Sequence, residues 1–300
     1  MHTIDLAYVG RGLHEELTAY VADQQGYYAD EGVHVALHDG CSWSEERLRR
    51  VATIGLGRAL LSRLTGATPW VALNVNTHRP LFWFLARPGL TSRPGPASLA
   101  DLAGRRLAVH APHTAPGCFT RIVLRRAGLD PDRDLHAVVR PPGDYGMDLR
   151  RLRDGRIDAA VVGSTMAPEA IAAEYGWQVL AWMGDHFQIP TVGVAVDPTH
   201  LHPDDPAVQA VVRAHRRALQ VIHDEPDTTV RYIQAFLGRH TAEEARAHYE
   251  TFIAPYFTTD GQADLAVGTT AIMAVAAELG VPATVMAAEF YRTGTAAPVD

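Results

Sequence analysis

Tyr20-Val-Ala-Asp-Gln-Gln-Gly26-Tyr-Tyr-Ala-Asp-Glu-Gly32-Val-His-Val35 carries the end of a helix into the start of a strand, and the fold follows from how often the chain repeats that step. Leu13, Leu17, Tyr20 and Val21 fall at helical spacing, so a helix is predicted over 13–25, stopping at Gly26. On either side lie strands, Ile4–Val9 before it and Val33–Leu37 after it, the second entering Gly40. Strand, helix, strand in this order calls for a mostly parallel sheet with covering helices.

Outward from there the alternation continues. Residues 45–64 read as largely helical with interruptions near Gly55 and Gly57, followed by strands at Trp70–Val75 and Leu81–Ala86. Arg87–Ala97 is rich in proline, glycine and serine and reads as a connector. A second series follows: strands at Arg106–Val109, Leu135–Arg140, Ala159–Val162, Trp177–Trp182 and Thr191–Val196, with helices at Pro116–Ala127, Gly146–Arg153 and Ala167–Glu174 between them. The remainder reads as helical, over 206–223, 227–237, 241–253, 263–279 and 283–292. The expected class is therefore α/β, with mixed, mostly parallel sheets, helices on both faces and a helical C-terminal region.

Composition narrows the function. Three hundred residues, 47% hydrophobic and 20% charged, are ample for a buried core and exclude disorder. A net charge of −7 and the scatter of the basic residues exclude a nucleic-acid partner, which needs a basic face. All 27 basic residues are arginine, and a guanidinium forms no Schiff base, so lysine-dependent and pyridoxal-type chemistry is excluded. Two cysteines, Cys41 and Cys118, make neither a disulfide framework nor a zinc spacing. No apolar run approaches the roughly 18 residues of a membrane span. Met1–Gly10 reads directly as a first strand without a leader pattern, which gives a cytoplasmic expectation.

The quoted segment resembles the opening of the solute-binding proteins for sulfonates, taurine and nitrate, and of the related thiamine-pyrimidine synthases. Leu99-Ala-Asp-Leu-Ala-Gly104-Arg-Arg-Leu-Ala-Val109, Leu124–Asp130 and Leu152-Arg-Asp-Gly155-Arg-Ile-Asp158-Ala-Ala are similar to further segments of the same families, in order over about residues 4–200. The resemblance implies a two-lobed type II periplasmic-binding-protein fold, with 1–80 and 190–300 in one lobe and 81–189 in the other. It also implies a small anionic ligand held in the cleft between them, at strand carboxyl ends and helix amino ends. The synthases carry a cysteine-rich iron motif and a reactive lysine; this chain has neither, so that activity is not expected.

These positions rank the motifs. His110-Ala-Pro-His113-Thr114-Ala115-Pro116 joins a strand to a helix, with Thr114 as N-cap and Pro116 in the first turn. Its free amides favour an anion, and His110 and His113 beside it supply groups that titrate near neutral pH. The loop is also similar to one in the dihydroxyphthalate decarboxylases, where a "TA…R" pattern corresponds to Thr114, Ala115 and Arg121 here. Asn76, Thr77, His78 and Arg79 follow an apolar strand and offer a carboxylate grip. Arg11, Gly12 and His14 follow the first strand, Cys41 and Ser42 the second, and Ser164, Thr165 and Gln188 end strands of the second lobe. A lone Cys41 is more often a packed thiol than a nucleophile. The histidines lack HExxH context and a third ligand, so no metal and no cofactor are expected.

Two readings follow. In the leading one, this is a cytoplasmic lyase, decarboxylase-like, with His110, His113, His78 and His14 moving protons while Arg11, Arg79 and Thr114 hold a carboxylate. The alternative is the substrate-binding component of an ABC importer for a sulfonate, nitrate-like or aromatic acid, with a permease as its partner. A homodimer is compatible with either.

Overall fold

The computed structural model describes residues 2–10, 12–66, 68–90, 97–140, 146–164, 167–238 and 241–294. In chain order its first half comprises β1 (His2–Tyr8), α1 (Leu13–Gln24), α2 (Tyr27–Asp30), β2 (Val33–Asp39), α3 (Glu45–Leu48), β3 (Ala52–Ile54), α4 (Leu56–Leu64), β4 (Val71–Ala72), β5 (Phe82–Ala86), β6 (Arg106–Val109) and α5 (Ala115–Arg126). There follow β7 (His136–Val139), α6 (Met147–Arg153), β8 (Ala159–Gly163), α7 (Pro168–Tyr175), β9 (Gln178–Trp182), α8 (Met183–His186) and β10 (Val194–Val196). The helical tail is α9 (Pro206–Asp224), α10 (Pro226–Leu237), α11 (Ala242–His248), a π-helical turn Tyr249–Ile253, α12 (Leu265–Leu279) and α13 (Ala287–Phe290). Among the described residues no helix is long and apolar enough to cross a membrane.

The strands form two mixed five-stranded sheets, ordered β2-β1-β3-β10-β4 and β7-β6-β8-β5-β9, with helices on both faces as the alternation predicts. Both sheets are built alike. Three parallel strands come first, the earliest of them in the middle, and an antiparallel strand is laid against the third: β10 on β3 in one sheet and β5 on β8 in the other. The chain divides into two compact units, Met1–His78 with Ile189–Met273 and Pro282–Asp300, and Arg79–Gln188 with Ala274–Val281. The last turns of α12 group with the second unit, whereas the sequence pattern keeps all of 190–300 together. Within that unit Glu278 of α12 accepts from Nε of both Arg121 (2.5 Å) and Arg125 (2.9 Å) of α5.

One strand has no counterpart in the sequence pattern. β3 lies inside the stretch read as helical, yet Ala52, Thr53 and Ile54 are buried and bridge β1 to β10. Three fully buried residues cannot display a period, and Ala and Thr give little strand signal of their own. Gly55 then turns the chain into α4 at φ +123°, where a Cβ would come 2.4 Å from Val9 Cγ2, so only glycine fits.

In the first unit, Leu6, Ile54 and Val194 of the sheet pack with Leu13, Leu17 and Val21 of α1 and with Val211, Leu219 and Ile222 of α9. Each fully buried aliphatic side chain of this kind contributes about 1.5–3 kcal/mol. α9 starts on Pro206, with Asp205 accepting from the Ala207 amide as its N-cap. His215 lies in the middle of α9 with no exposure, its Nε2 2.8 Å from the Tyr28 hydroxyl. Burial pushes its pKa down to about 3. Between pH 6.5 and 3 the unfolded chain therefore binds a proton that the folded chain refuses, and stability falls as pH drops through that window. A full difference of one proton costs about 1.4 kcal/mol per pH unit. Urea unfolding at pH 7.0 and pH 4.5 should show wild type losing on the order of 1–3 kcal/mol more than His215→Gln, which keeps a hydrogen-bonding group for Tyr28 and does not titrate. Equal losses in the two proteins would mean that His215 is protonated in the folded state.

Candidate functional site

Strand register assembles the most polar edge of the second unit. β6 and β7 run parallel with Val109 opposite Val139, and the Arg140 amide donates to the Val109 carbonyl at 3.0 Å. The next residues, His110 and Arg140, therefore leave neighbouring strands roughly 4.8 Å apart at their carboxyl ends. Arg140 Nη2 donates to His110 Nε2 at 2.5 Å. That bond places the imidazole lone pair on Nε2 and the proton on Nδ1, which is buried and has no partner among the described residues. The Phe82 ring stands edge-on to His110, centroids 5.7 Å apart. Behind the guanidinium, Asp148 Oδ2 lies 3.8 Å from Arg140 Nε, while Asp148 Oδ1 accepts from Arg151 Nη1 at 3.1 Å. Only 8% of the Arg140 side chain and 2% of Asp148 are exposed. Burial first, and the Arg140 charge second, push the His110 pKa down to about 3.

The adjoining loop is built as its sequence predicts. Thr114 caps α5, its Oγ1 accepting from the Gly117 amide at 3.3 Å and donating to the Ala111 carbonyl at 2.7 Å. A Cβ on Gly117 would sit 2.0 Å from Ala111 O, so a glycine here lets the first turn, begun by Ala115, press against the loop. His113 is exposed on this loop, and Ser164 is buried at the carboxyl end of β8. Thr165 lies outside the described residues. Arg121 is not a ligand group in this arrangement: both its Nη atoms bind Asp132, at 2.7 and 2.6 Å, and its Nε binds Glu278. Arg79 is similarly engaged, donating to the Gly184 carbonyl (3.1 Å) and Asp185 Oδ1 (3.0 Å), with its guanidinium 5.4 Å from the Trp182 ring centroid. Gln188 is exposed.

In the first unit the predicted residues serve mainly as framework. Arg11 lies outside the described residues. The Gly12 amide donates to Glu16 Oε1 at 3.2 Å. His14 is wholly buried, its Nε2 3.1 Å from His248 Nε2; burial and then His248 hold its pKa well below the ordinary value. Cys41 is half-buried, with its amide on Asp39 Oδ1, and Ser42 is exposed. Asn76 and Thr77 have no exposure: Asn76 accepts from Asn74 Nδ2 (2.8 Å) and pairs its backbone with Val192 and Thr258, and Thr77 bridges Val192 and Phe257. His78 Nε2 accepts from the Asp264 amide at 2.8 Å, at the start of α12. Burial lowers its pKa, with Asp264 and Asp260 opposing.

Two corrections to the sequence reading follow. His14 is a neutral core imidazole, and His110 stays neutral throughout the physiological range, so neither is the near-neutral proton carrier expected of it. Among the described residues no group of three or more His, Cys, Asp or Glu side chains is placed to hold a metal ion.

A family model described as "NMT1/THI5 like" matches residues 15–229, well over half of the chain. The chain belongs to this family. Solved structures with the same fold include the alkanesulfonate-binding protein SsuA of Xanthomonas axonopodis pv. citri bound to MOPS, with 14% identity, TM-score 0.73, and coverage of 97% of this chain and 98% of that one. The periplasmic aliphatic sulphonate binding protein SsuA of Escherichia coli is also 14% identical, with TM-score 0.74 and coverage of 97% and 92%. A Candida albicans protein described as exhibiting the generic periplasmic binding protein fold is 19% identical, with TM-score 0.66 and coverage of 93% and 90%. The type II periplasmic-binding-protein resemblance read from the sequence is thus correct at the level of fold and family. No curated protein matches the sequence.

The sequence reading missed Arg140 and Asp148. A signal for Arg140 was present: it follows β7 just as His110 follows β6, so aligning strand ends would have paired them. The two thiols make a direct check on the site's packing. Cys118 in α5 is fully buried, and burial pushes its pKa up to about 12, whereas Cys41 is partly exposed. Native protein should take up one equivalent of a thiol reagent and a Cys41→Ser variant none. Rapid labelling of that variant would show that α5 does not close over Cys118.

Proposed function

We propose that this chain is a solute-binding protein for a small organic anion of the sulfonate or carboxylate class, and that it hands the anion to an ABC importer rather than transforming it. The observation that carries this reading is the Arg140–His110 pair. The histidine best placed to meet a ligand is held neutral to about pH 3, so it serves as a hydrogen-bond donor through Nδ1 and not as an acid or base. Beside it stands a guanidinium with 8% exposure, the residue type suited to planar or tetrahedral oxyanions. Both lie at the carboxyl ends of parallel strands, where open α/β sheets bind their ligands. The sulfonate-binding proteins of like fold are consistent with an anionic solute.

The lyase reading finds no such support: His14 and His110 do not titrate near neutral pH, and Arg79 and Arg121 are tied into ion pairs. Under the importer reading a permease is the partner, and the chain works outside the cytoplasmic membrane rather than in the cytoplasm.

Isothermal titration with a short alkanesulfonate and with the matching alkanecarboxylate tests the assignment. Wild type should bind at least one of them, and Arg140→Gln should bind it at least tenfold more weakly, the loss expected for one charged hydrogen-bond partner of an anion. Mass spectrometry should recover the ligand unchanged after incubation. Chemical conversion, or an Arg140→Gln variant that binds as well as wild type, would contradict the proposal.

A further inference from the structure

We infer that Asp148 limits this site to singly charged anions. The inference rests on the reading that the carboxyl edge of β6 and β7 holds an anion, and it names a property that reading leaves open. Asp148 is the second residue of α6, 2% exposed, and it stands behind both arginines that face this edge: 3.8 Å from Arg140 Nε and 3.1 Å from Arg151 Nη1. α6 also carries Arg150, which is exposed, and Arg153, which pairs with Asp154. From β6 the facing titratable group is His110, which is uncharged. Arg140 and Arg151 with Asp148 between them thus present one net positive charge to a guest.

A guest with one negative charge is neutralised by that cluster. A second negative charge on the guest finds no further cation and lies close to the buried Asp148 carboxylate. In a poorly hydrated site this repulsion is not screened as it would be in water, and the second charge must also be stripped of its hydration. Asp148 therefore acts as a specificity residue by repulsion, without touching the ligand. Phe82, edge-on to His110, supplies an apolar wall that suits an organic substituent in place of a second oxyanion charge.

Methanesulfonate and sulfate have nearly the same size and tetrahedral oxygen geometry but differ by one charge, so their comparison isolates the effect. Titration calorimetry at pH 7.5 and fixed ionic strength should show wild type preferring methanesulfonate by roughly tenfold or more. Asp148→Asn keeps the side-chain shape and should cut that preference to about threefold or less, or reverse it, by strengthening sulfate binding. Asp148→Glu restores the carboxylate and should restore the preference; thermal unfolding without ligand identifies a variant that has lost its fold, in which case Arg151→Gln serves, with an expected further loss of sulfate. Methanesulfonate binding with no discrimination against sulfate, or a preference unchanged in Asp148→Asn, overturns the role of Asp148 while leaving the anion site intact. Failure of both anions to bind wild type overturns the anion site and this inference with it.

Discussion

Arg140 keeps its positive charge with only 8% of its side chain exposed, and the chemistry of the second unit's polar edge is arranged around that fact. A buried guanidinium is tolerated only with partners for its N–H groups and an opposing charge nearby. His110 provides the first by accepting from Nη2, and Asp148 provides the second from α6. The same arrangement determines what His110 can do. An imidazole that accepts a hydrogen bond from a guanidinium cannot add a proton at that nitrogen without losing the bond and meeting a like charge, so its role is fixed as a neutral donor through Nδ1. Binding, and not proton transfer, is the chemistry this geometry supports.

Strand order brings these groups together. With the first strand of each parallel trio in the centre, residues that follow consecutive strands emerge side by side at one edge, and the parallel register of β6 and β7 carries His110 and Arg140 to the same level. Close backbone approaches hold the surrounding loops. Gly117 presses α5 against Ala111, and Gly193, at φ +154°, lies where a Cβ would be 1.8 Å from Asn74 O. The polar residues around Asn74–His78 are consumed by this framework: Asn76 and Thr77 pair with 192 and 257–258, and His78 supports the start of α12.

The fold was largely legible in the sequence because helix and strand periods alternate cleanly, and because Gly26, Gly32, Gly104 and Gly155 mark element ends with positive φ. β3 was not legible, since three buried residues show no period. At the site, the Thr114 cap and the polar loop from His110 could be read from local chemistry. The state of His110 could not, because it depends on Arg140, 30 residues away in sequence and adjacent only through strand pairing. Arg121 and Arg79 illustrate the opposite error. Each stands where a ligand contact is plausible by position, yet acidic neighbours brought in by the fold, Asp132 and Glu278 for one and Asp185 for the other, take up the charge. Sequence position identifies charged residues near an edge; only the tertiary partners decide which of them can meet a guest.

The protonation state of His110 is the most direct test of this account. Imidazole ¹⁵N chemical shifts of His110, followed from pH 8 to pH 4.5 with and without a bound alkanesulfonate, should show one neutral tautomer throughout, protonated at Nδ1, with ligand shifting that resonance but not its charge. Titration of His110 with a midpoint near 6.5, or an imidazolium formed when the ligand binds, would contradict it.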